Sequence, residues 1–244
     1  MSDLLDARHL SKLYRDRAAL DDVSISVASG EFVAVLGPSG SGKTTLFRCL
    51  TRLVEPDRGE IFLGGKPFHG LKGRALAAAR RKIAVVFQQF NLVRRLTARE
   101  NVLAGRLADA PLWRVLGRSF AETDLDRAAA ALYAVGLGDH IDQRADTLSG
   151  GQQQRVAIAR AIIQDARLIL ADEPVASLDP ATADAILKLL HGLTRSHGIG
   201  VLCTLHQPDL AARYADRVIR MDAGRICVDG GSVPIALPVK KLLA

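Results

Sequence analysis

A glycine-rich segment carries the clearest chemical signal in this sequence. Residues 37–44 read Gly-Pro-Ser-Gly-Ser-Gly-Lys-Thr and match the pattern GxxxxGK[ST] at every fixed position. The apolar run Phe32–Leu36 precedes the segment and predicts a buried strand, and a helix is predicted to begin near Lys43. A strand before this pattern and a helix after it are the context in which the pattern binds phosphate. The segment therefore predicts a nucleoside triphosphate site.

The chemistry of this loop depends on backbone N–H groups and on two side chains. Small residues let the chain curl so that successive N–H groups point at phosphate oxygens, at a helix N-terminus that carries partial positive charge. Lys43 is predicted to reach the β- and γ-phosphates, and the Thr44 hydroxyl is predicted to bind Mg²⁺. The predicted phosphate-binding residues are Gly37, Pro38, Ser39, Gly40, Ser41, Gly42, Lys43, Thr44 and Thr45.

Two adjacent acids follow a second apolar run. The run 168–171 predicts a buried strand, and Asp172 and Glu173 stand directly after it. Open α/β sheets bind their ligands outside the carboxyl ends of the strands. We predict that Asp172 holds Mg²⁺ and that Glu173 polarises the water that attacks the γ-phosphate. An acidic pair after a strand is by itself also consistent with a solvated strand end, and the phosphate loop favours the catalytic interpretation.

The remaining patterns predict the elements that position these residues. Strands are predicted at 4–27, with a turn near 15–17, and at 60–63, 83–87 and 199–205, and a hairpin at 218–228 turns at 222–224. The segment from about 88 to 164 is predicted to be helical. Asp179 and Pro180 are predicted to open another helix. The order predicts an α/β core with a mostly parallel sheet, interrupted by a helical lobe.

Composition limits the classes of function. The chain has 244 residues and a formal net charge of +7, with 48% hydrophobic and 24% charged residues, as in an ordinary globular protein. No apolar run approaches the length that spans a bilayer, and the N-terminus lacks the apolar core of a signal peptide. The widely spaced Cys49, Cys203 and Cys227 predict isolated buried thiols rather than a metal or disulfide site. The basic residues lie in short clusters without aromatic residues between them. This pattern favours a basic surface over a nucleic-acid partner as the explanation of the positive charge.

A further motif identifies a family. Residues 148–152 read Leu-Ser-Gly-Gly-Gln, and this resembles the signature motif of the ABC nucleotide-binding domains without a mismatch. Ser149 is predicted to cap a helix over about 152–164, and the glycines permit an anion to approach the exposed N–H groups. The resemblance covers residues 4–231. It implies a P-loop NTPase core with a mostly parallel sheet, an N-terminal antiparallel β subdomain and an inserted helical subdomain at about 88–164, within one nucleotide-binding domain over 1–244.

The resemblance assigns roles to further residues. In this family the signature of one subunit meets the ATP bound by the other, which implies a head-to-tail dimer and adds Ser149, Gly150, Gly151 and Gln152 to the ATP-binding residues. Tyr14 resembles the aromatic that stacks on adenine, although a half-buried strand aromatic is an equal alternative. Gln88, or its neighbour Gln89, matches the glutamine that contacts Mg²⁺ and the attacking water. Asp179 matches the aspartate of the loop that contacts the opposite subunit. His206 resembles the switch histidine that contacts the γ-phosphate.

The resemblance also implies a biological setting. Several stretches, including 87–93, 101–107, 143–148, 173–180 and 205–210, together with Trp113, are similar to the ATPases of phosphonate importers. The chain is thus expected to hydrolyse ATP at the cytoplasmic face of the inner membrane, bound to permease subunits and served indirectly by a substrate-binding protein, with no nucleic-acid partner. A polar amino-acid importer is the alternative. A second alternative is an ABC ATPase that acts on nucleic acid or the ribosome. The single cassette and the lack of a heptad run argue against this alternative.

Overall fold

The computed structural model describes residues 3–15, 17–107 and 120–230. Trp113 and the tail after Gly230 lie outside the described residues. The strands are β1 (Asp3–Tyr14), β2 (Arg17–Ala28), β3 (Phe32–Leu36), β4 (Arg58–Leu63), β5 (Lys66–Pro67), β6 (Ile83–Phe87), β7 (Leu168–Asp172), β8 (Gly200–Leu205), β9 (Arg217–Asp222) and β10 (Arg225–Gly230). They form two sheets, so the fold is a mixed α/β architecture.

The larger sheet is the one that carries the predicted site. Its six strands lie in the order β10-β9-β3-β8-β7-β6. All neighbouring pairs from β9 to β6 are parallel, and β10 is antiparallel to β9. The four-stranded sheet, in the order β2-β1-β4-β5, is antiparallel throughout. A mostly parallel sheet, a separate antiparallel sheet and inserted helices are the fold class that the sequence predicted.

Two details of the strands differ from the prediction or refine it. The predicted short N-terminal strands are twelve residues each, and the hairpin bends through several register shifts along its length. Such bulges let a long strand follow a strongly twisted surface. The hairpin at the end of the described chain turns at Asp222–Gly224 as predicted, with both Ala223 and Gly224 at positive φ.

Seven α-helices are described, and three of them form the lobe between β6 and β7. The helices are α1 (Lys43–Leu50), α2 (Gly73–Arg80), α3 (Ala98–Leu103), α4 (Glu122–Ala134), α5 (Gly150–Ile163), α6 (Pro180–His197) and α7 (Pro208–Tyr214). Helices α3, α4 and α5 pack on one another. No helix within the described ranges is both long and apolar enough to cross a membrane.

Two hydrophobic clusters cover the opposite faces of the parallel sheet. One contains Phe32, Ala171 and Cys203 with side chains of the helical lobe and α6. The other contains Val33 and Leu170 with side chains of α1 and the antiparallel sheet. Alternate residues of one strand thus enter different clusters, which explains why these strands are continuous apolar runs rather than alternating ones. The carboxyl edge of the sheet is where polar residues begin.

The cysteines are all free, but only two of them are buried. Cys49 lies in α1 and Cys203 in β8, and both have no exposed surface. Cys227 is exposed, because it lies on β10, the edge strand of the parallel sheet, whose residues are mostly exposed. The expectation of three buried thiols is therefore wrong for Cys227.

Strand register brings the predicted site residues to one edge of the sheet. Leu36 at the end of β3 pairs with Leu205 at the end of β8, so the phosphate loop and His206 begin side by side. Phe87 at the end of β6 pairs with Asp172 at the end of β7, so Gln88 and Glu173 follow at equivalent positions. The segments after four strands therefore converge at the carboxyl edge.

Candidate nucleotide site

An open cavity lies between the phosphate loop and the antiparallel sheet. It has a volume of about 460 Å³. Its lining comprises Tyr14, Arg17, Ala19, Ser39, Gly40, Gly42, Lys43, Thr44, Thr45 and Glu173. Most of the predicted phosphate-binding residues and the predicted base thus face one cavity. Tyr14 belongs to this lining and is 45% exposed.

The loop is shaped by close contacts with two other segments. Gly42 precedes α1 with φ +105°, and a Cβ at this residue would lie 2.4 Å from the carbonyl oxygen of Ala19. Only glycine tolerates both the dihedral angle and the approach. The Gly224 N–H, in the turn between β9 and β10, donates to the carbonyl oxygen of Ser41 over 3.0 Å. The two hairpins therefore fix the conformation of the loop from opposite sides.

Lys43 is the first residue of α1, and its side chain folds back into the phosphate loop. It is 5% exposed, and its Nζ donates to the carbonyl oxygens of Gly37 at 2.7 Å and Pro38 at 3.0 Å. Burial lowers the pKa of the Lys43 ammonium, while the charges of Glu173 and Asp172 oppose this shift. The buried Ser41 Oγ has no hydrogen-bond partner among the described residues. A buried ammonium and an unpaired hydroxyl in a tight loop suit an anionic ligand that supplies acceptors.

The two acids at the end of β7, Asp172 within the strand and Glu173 directly after it, have different surroundings. The Asp172 Oδ1 accepts a hydrogen bond from the Thr204 hydroxyl at 2.9 Å. Burial raises the pKa of the Asp172 carboxyl above its usual value, although this hydrogen bond opposes the shift. Glu173 has a positive φ of 49°, its N–H donates to Thr204 Oγ1 at 2.7 Å, and its Oε1 lies 2.6 Å from His206 Nε2. The predicted base and the predicted switch histidine are in direct contact.

The predicted Mg²⁺ ligands have the right chemistry for that ion. Thr44, Gln88 and Asp172 offer hydroxyl, amide and carboxylate oxygens, which are the donors that Mg²⁺ prefers. Asp172 is half-buried, Thr44 and Gln88 are exposed, and all three lie at the same edge of the sheet. The hydrogen bond from Thr204 engages one Asp172 oxygen. The residues present therefore fit a magnesium site.

The signature segment forms the start of a capped helix, as predicted, but α5 begins at Gly150 rather than at Gln152. Ser149 Oγ accepts from the Gln152 N–H at 3.3 Å, and Gln152 Oε1 accepts from the Ser149 N–H at 2.8 Å. This reciprocal pair is a capping box. A Cβ at Gly151 would lie 2.4 Å from Thr182 Cγ2, so Gly151 also permits close packing of α5 on α6.

The signature residues do not share the cavity with the phosphate loop of the same chain. Ser149, Gly150, Gly151 and Gln152 are absent from the cavity lining, as are Gln88 and Asp179. Asp179 caps α6, with its Oδ1 accepting from the Thr182 N–H at 3.0 Å, and hydrogen bonds from Thr182 lower the pKa of this carboxyl. One chain thus presents a phosphate loop and a separate capped helix start.

Sequence reasoning missed several residues that shape the site. Arg17 and Ala19 line the cavity from β2, and Gly224 supports the loop from a distant hairpin. Thr204 contacts both acids of β7. One signal was visible for Thr204, because it is the single hydroxyl within the otherwise apolar strand β8. The other contacts depend on pairing between distant segments, which no local pattern reveals.

Fold and site together define a P-loop nucleotide-binding protein. The family model described as ABC transporter matches residues 20–176. Among curated relatives, the phosphonates import ATP-binding protein PhnC 1 of Rhodopseudomonas palustris (strain BisB18) is 47% identical over 93% of this chain and 84% of its own length. The hypophosphite import ATP-binding protein HtxD of Stutzerimonas stutzeri is 46% identical over 93% of this chain and 66% of its own length.

Solved structures agree with this likeness. The ATP-binding cassette MJ0796, in a dimeric post-hydrolysis state bound to ADP and Pi, superposes with a TM-score of 0.79 at 34% identity, over 93% of this chain and 98% of its own. The ADP conformation of the cassette MJ1267 superposes with a TM-score of 0.84 at 29% identity, over 95% of this chain and 92% of its own. The chain belongs to the ABC transporter family, and it is an ATP-binding cassette ATPase.

Proposed function

We propose that this ATPase powers an importer of phosphonates or closely related phosphorus oxyanions. The support comes from relatives whose names specify phosphonates or hypophosphite import, at 46–47% identity over 93% of this chain. The cargo does not enter the nucleotide site, so the residues of this site support ATP binding and hydrolysis but do not identify the cargo. The observation that carries the ATPase role is the convergence of Lys43, Glu173 and the phosphate loop on one cavity.

In the proposed reaction, Glu173 accepts a proton from the water that attacks the γ-phosphorus, while ADP departs on the opposite side. Lys43 leaves the carbonyl oxygens of Gly37 and Pro38 and donates to phosphate oxygens instead. His206 moves from Glu173 to the γ-phosphate, which frees the carboxylate of Glu173. The 2.6 Å contact between His206 Nε2 and Glu173 Oε1 supports this exchange, because His206 already lies beside the carboxylate that it would release.

A divalent metal belongs to this proposal as the partner of the phosphates. Thr44, Asp172 and Gln88 would hold Mg²⁺, and the ion would supply charge neutralisation for the phosphate oxygens. Gln88 would also contact the attacking water. Lys43, Asp172 and Glu173 lie close enough for their charges to influence one another.

We further propose a head-to-tail dimer in which each capped helix start covers the ATP of the other subunit. The N–H groups of Gly150 and Gly151 would meet the γ-phosphate, and Asp179 would contact the opposite chain. The separation of the signature segment from the cavity of its own chain supports this arrangement. Permease subunits would bind near residues 88–97, and the protein would lie at the cytoplasmic face of the inner membrane. A substrate-binding protein would act only through the permease.

The hydrolytic step is tested with Glu173→Gln. This variant keeps the shape of the side chain but cannot accept the proton. We expect ATP hydrolysis to fall by about 100-fold or more, because general base catalysis typically contributes that much. ATP binding should persist, and the variant should elute as a dimer in size-exclusion chromatography with ATP. Wild-type rates of phosphate release by Glu173→Gln would refute the assignment of the base.

The cargo is tested in a deletion strain. Uptake of labelled methylphosphonate, hypophosphite, glutamate and histidine is measured before and after complementation with wild type or Glu173→Gln. Loss of phosphonate or hypophosphite uptake alone, restored only by wild type, supports the proposal. Unchanged uptake of both with loss of amino-acid uptake would replace it with a polar amino-acid importer.

A further inference from the structure

One hydroxyl lies between the two acids of β7. Thr204 is fully buried in β8, and the other residues of that strand are apolar. Its Oγ1 donates to Asp172 Oδ1 at 2.9 Å and accepts from the Glu173 N–H at 2.7 Å. A threonine hydroxyl has one proton and two lone pairs, so it makes both bonds at once without competition. The pair of bonds fixes the direction of the hydroxyl proton towards Asp172.

The contact with Glu173 is made where the backbone is under strain. Glu173 has φ 49°, a conformation that is uncommon for residues with a side chain and persists only where the surroundings hold it. The Thr204 hydroxyl accepts from the N–H of this same residue. Holding that N–H therefore contributes to the turn that aims the Glu173 side chain towards the cavity.

We propose that Thr204 is a positioning residue that sets the predicted metal ligand and the predicted base as one unit. It orients the Asp172 carboxylate so that one oxygen is engaged and the other remains for the metal, and it fixes the backbone that carries Glu173. Thr204 is fully buried and is not among the residues that line the cavity, so it would act through its two neighbours rather than on the nucleotide. This inference rests on the proposed roles of Asp172 and Glu173 and extends them to β8.

Three substitutions at Thr204 isolate the hydroxyl. Thr204→Val removes the hydroxyl and keeps the branched shape. Thr204→Ser and Thr204→Ala both lack the methyl group, and they differ from each other only in the hydroxyl. Thr194→Val is the matched control: Thr194 is 2% exposed and its hydroxyl donates within α6, to the carbonyl oxygen of His191. Asp172→Asn and Glu173→Gln report on the proposed site itself.

Two measurements are made on each folded full-length variant. The first is kcat for ATP over a Mg²⁺ titration, and the second is the affinity for a fluorescent ATP analogue with and without Mg²⁺. Thr204→Val should lower kcat by about 10- to 100-fold and raise the half-saturating Mg²⁺ concentration, as the loss of residues behind metal ligands commonly does. Affinity for the metal-free analogue should stay within about twofold, since the phosphate loop is untouched.

The serine variant decides between positioning and packing. Thr204→Ser should keep kcat within a fewfold of wild type, and Thr204→Ala should match Thr204→Val, so the Ser/Ala ratio tests the hydroxyl even where valine prevents folding. Two results would overturn the inference, provided that Asp172→Asn and Glu173→Gln are inactive. One is equal activity of the serine and alanine variants, and the other is a wild-type Mg²⁺ dependence of Thr204→Val. Full activity of those two variants would instead overturn the proposed site, and the inference with it.

Discussion

Replacement of Gly151 by alanine tests why the signature segment contains glycine. An added Cβ would lie 2.4 Å from Thr182 Cγ2, whereas nonbonded carbon atoms normally stay about 3.5–4.0 Å apart. Helices α5 and α6 would have to separate by about 1 Å at this point. Overpacking of this kind costs about 1–3 kcal/mol, and the better helix propensity of alanine returns up to about 1 kcal/mol.

With the middle of each range, the net loss of unfolding free energy is about 1–2 kcal/mol. For a chain of this length that corresponds to a fall in Tm of about 2–8 °C, measured by differential scanning calorimetry. Thr182→Ser removes Cγ2 and leaves the nearest Thr182 atoms, Cβ and Oγ1, 3.7 Å from the new Cβ. The double variant Gly151→Ala/Thr182→Ser should therefore regain most of the lost Tm.

The double variant also separates packing from nucleotide contact. If Gly151 approaches ATP in the opposite subunit, the ATPase rate should stay low after the Tm has recovered. Recovery of both would assign Gly151 to packing alone. A Tm of Gly151→Ala equal to that of wild type, or no recovery with Thr182→Ser, would refute the steric reasoning.

Two further predictions concern ionisable groups outside the cavity. Burial raises the pKa of the Cys49 thiol to about 11 and that of Cys203 further, so Ellman's reagent at about pH 8 should modify only the exposed Cys227 in the native protein, and Cys227→Ser should abolish the reaction. The Leu13 N–H and then Lys12 lower the pKa of the Asp57 carboxyl, so this group stabilises the fold above its ordinary pKa and loses that effect as pH falls through the depressed value. Asp57→Asn should accordingly lower Tm at about pH 7 and show a smaller deficit at about pH 3, and a deficit independent of pH would contradict the assignment.

The carboxyl edge of the sheet could be predicted from the sequence because local patterns mark it. Three of the parallel strands, β3, β7 and β8, are largely apolar runs that give way to a glycine or a polar residue, at Gly37, Asp172 and His206. Since parallel strands in one sheet end at one edge, the three endings predict a common location without knowledge of strand order. The observed register agrees, with Leu36 opposite Leu205.

The contacts that shape the site could not be predicted, because they join segments far apart in the chain. The Gly224 N–H reaches the Ser41 carbonyl oxygen, and Ala19 limits the space at Gly42. The length of the N-terminal strands was underestimated for a related reason. Bulges between β1 and β2 break the alternation of buried and exposed residues that would mark one long strand.

The arrangement of the acids indicates that β8, rather than β7, orients Glu173, the proposed base. Asp172 ends β7 and Glu173 directly follows it, yet Thr204 of β8 holds the carboxylate of the first and the backbone of the second. The Glu173 carboxylate meets His206, which directly follows β8. Three hydrogen bonds therefore link the two acids to one neighbouring strand end. A small displacement of that end would change the surroundings of both acids together, and the proposed turn of His206 to a γ-phosphate would be one such displacement.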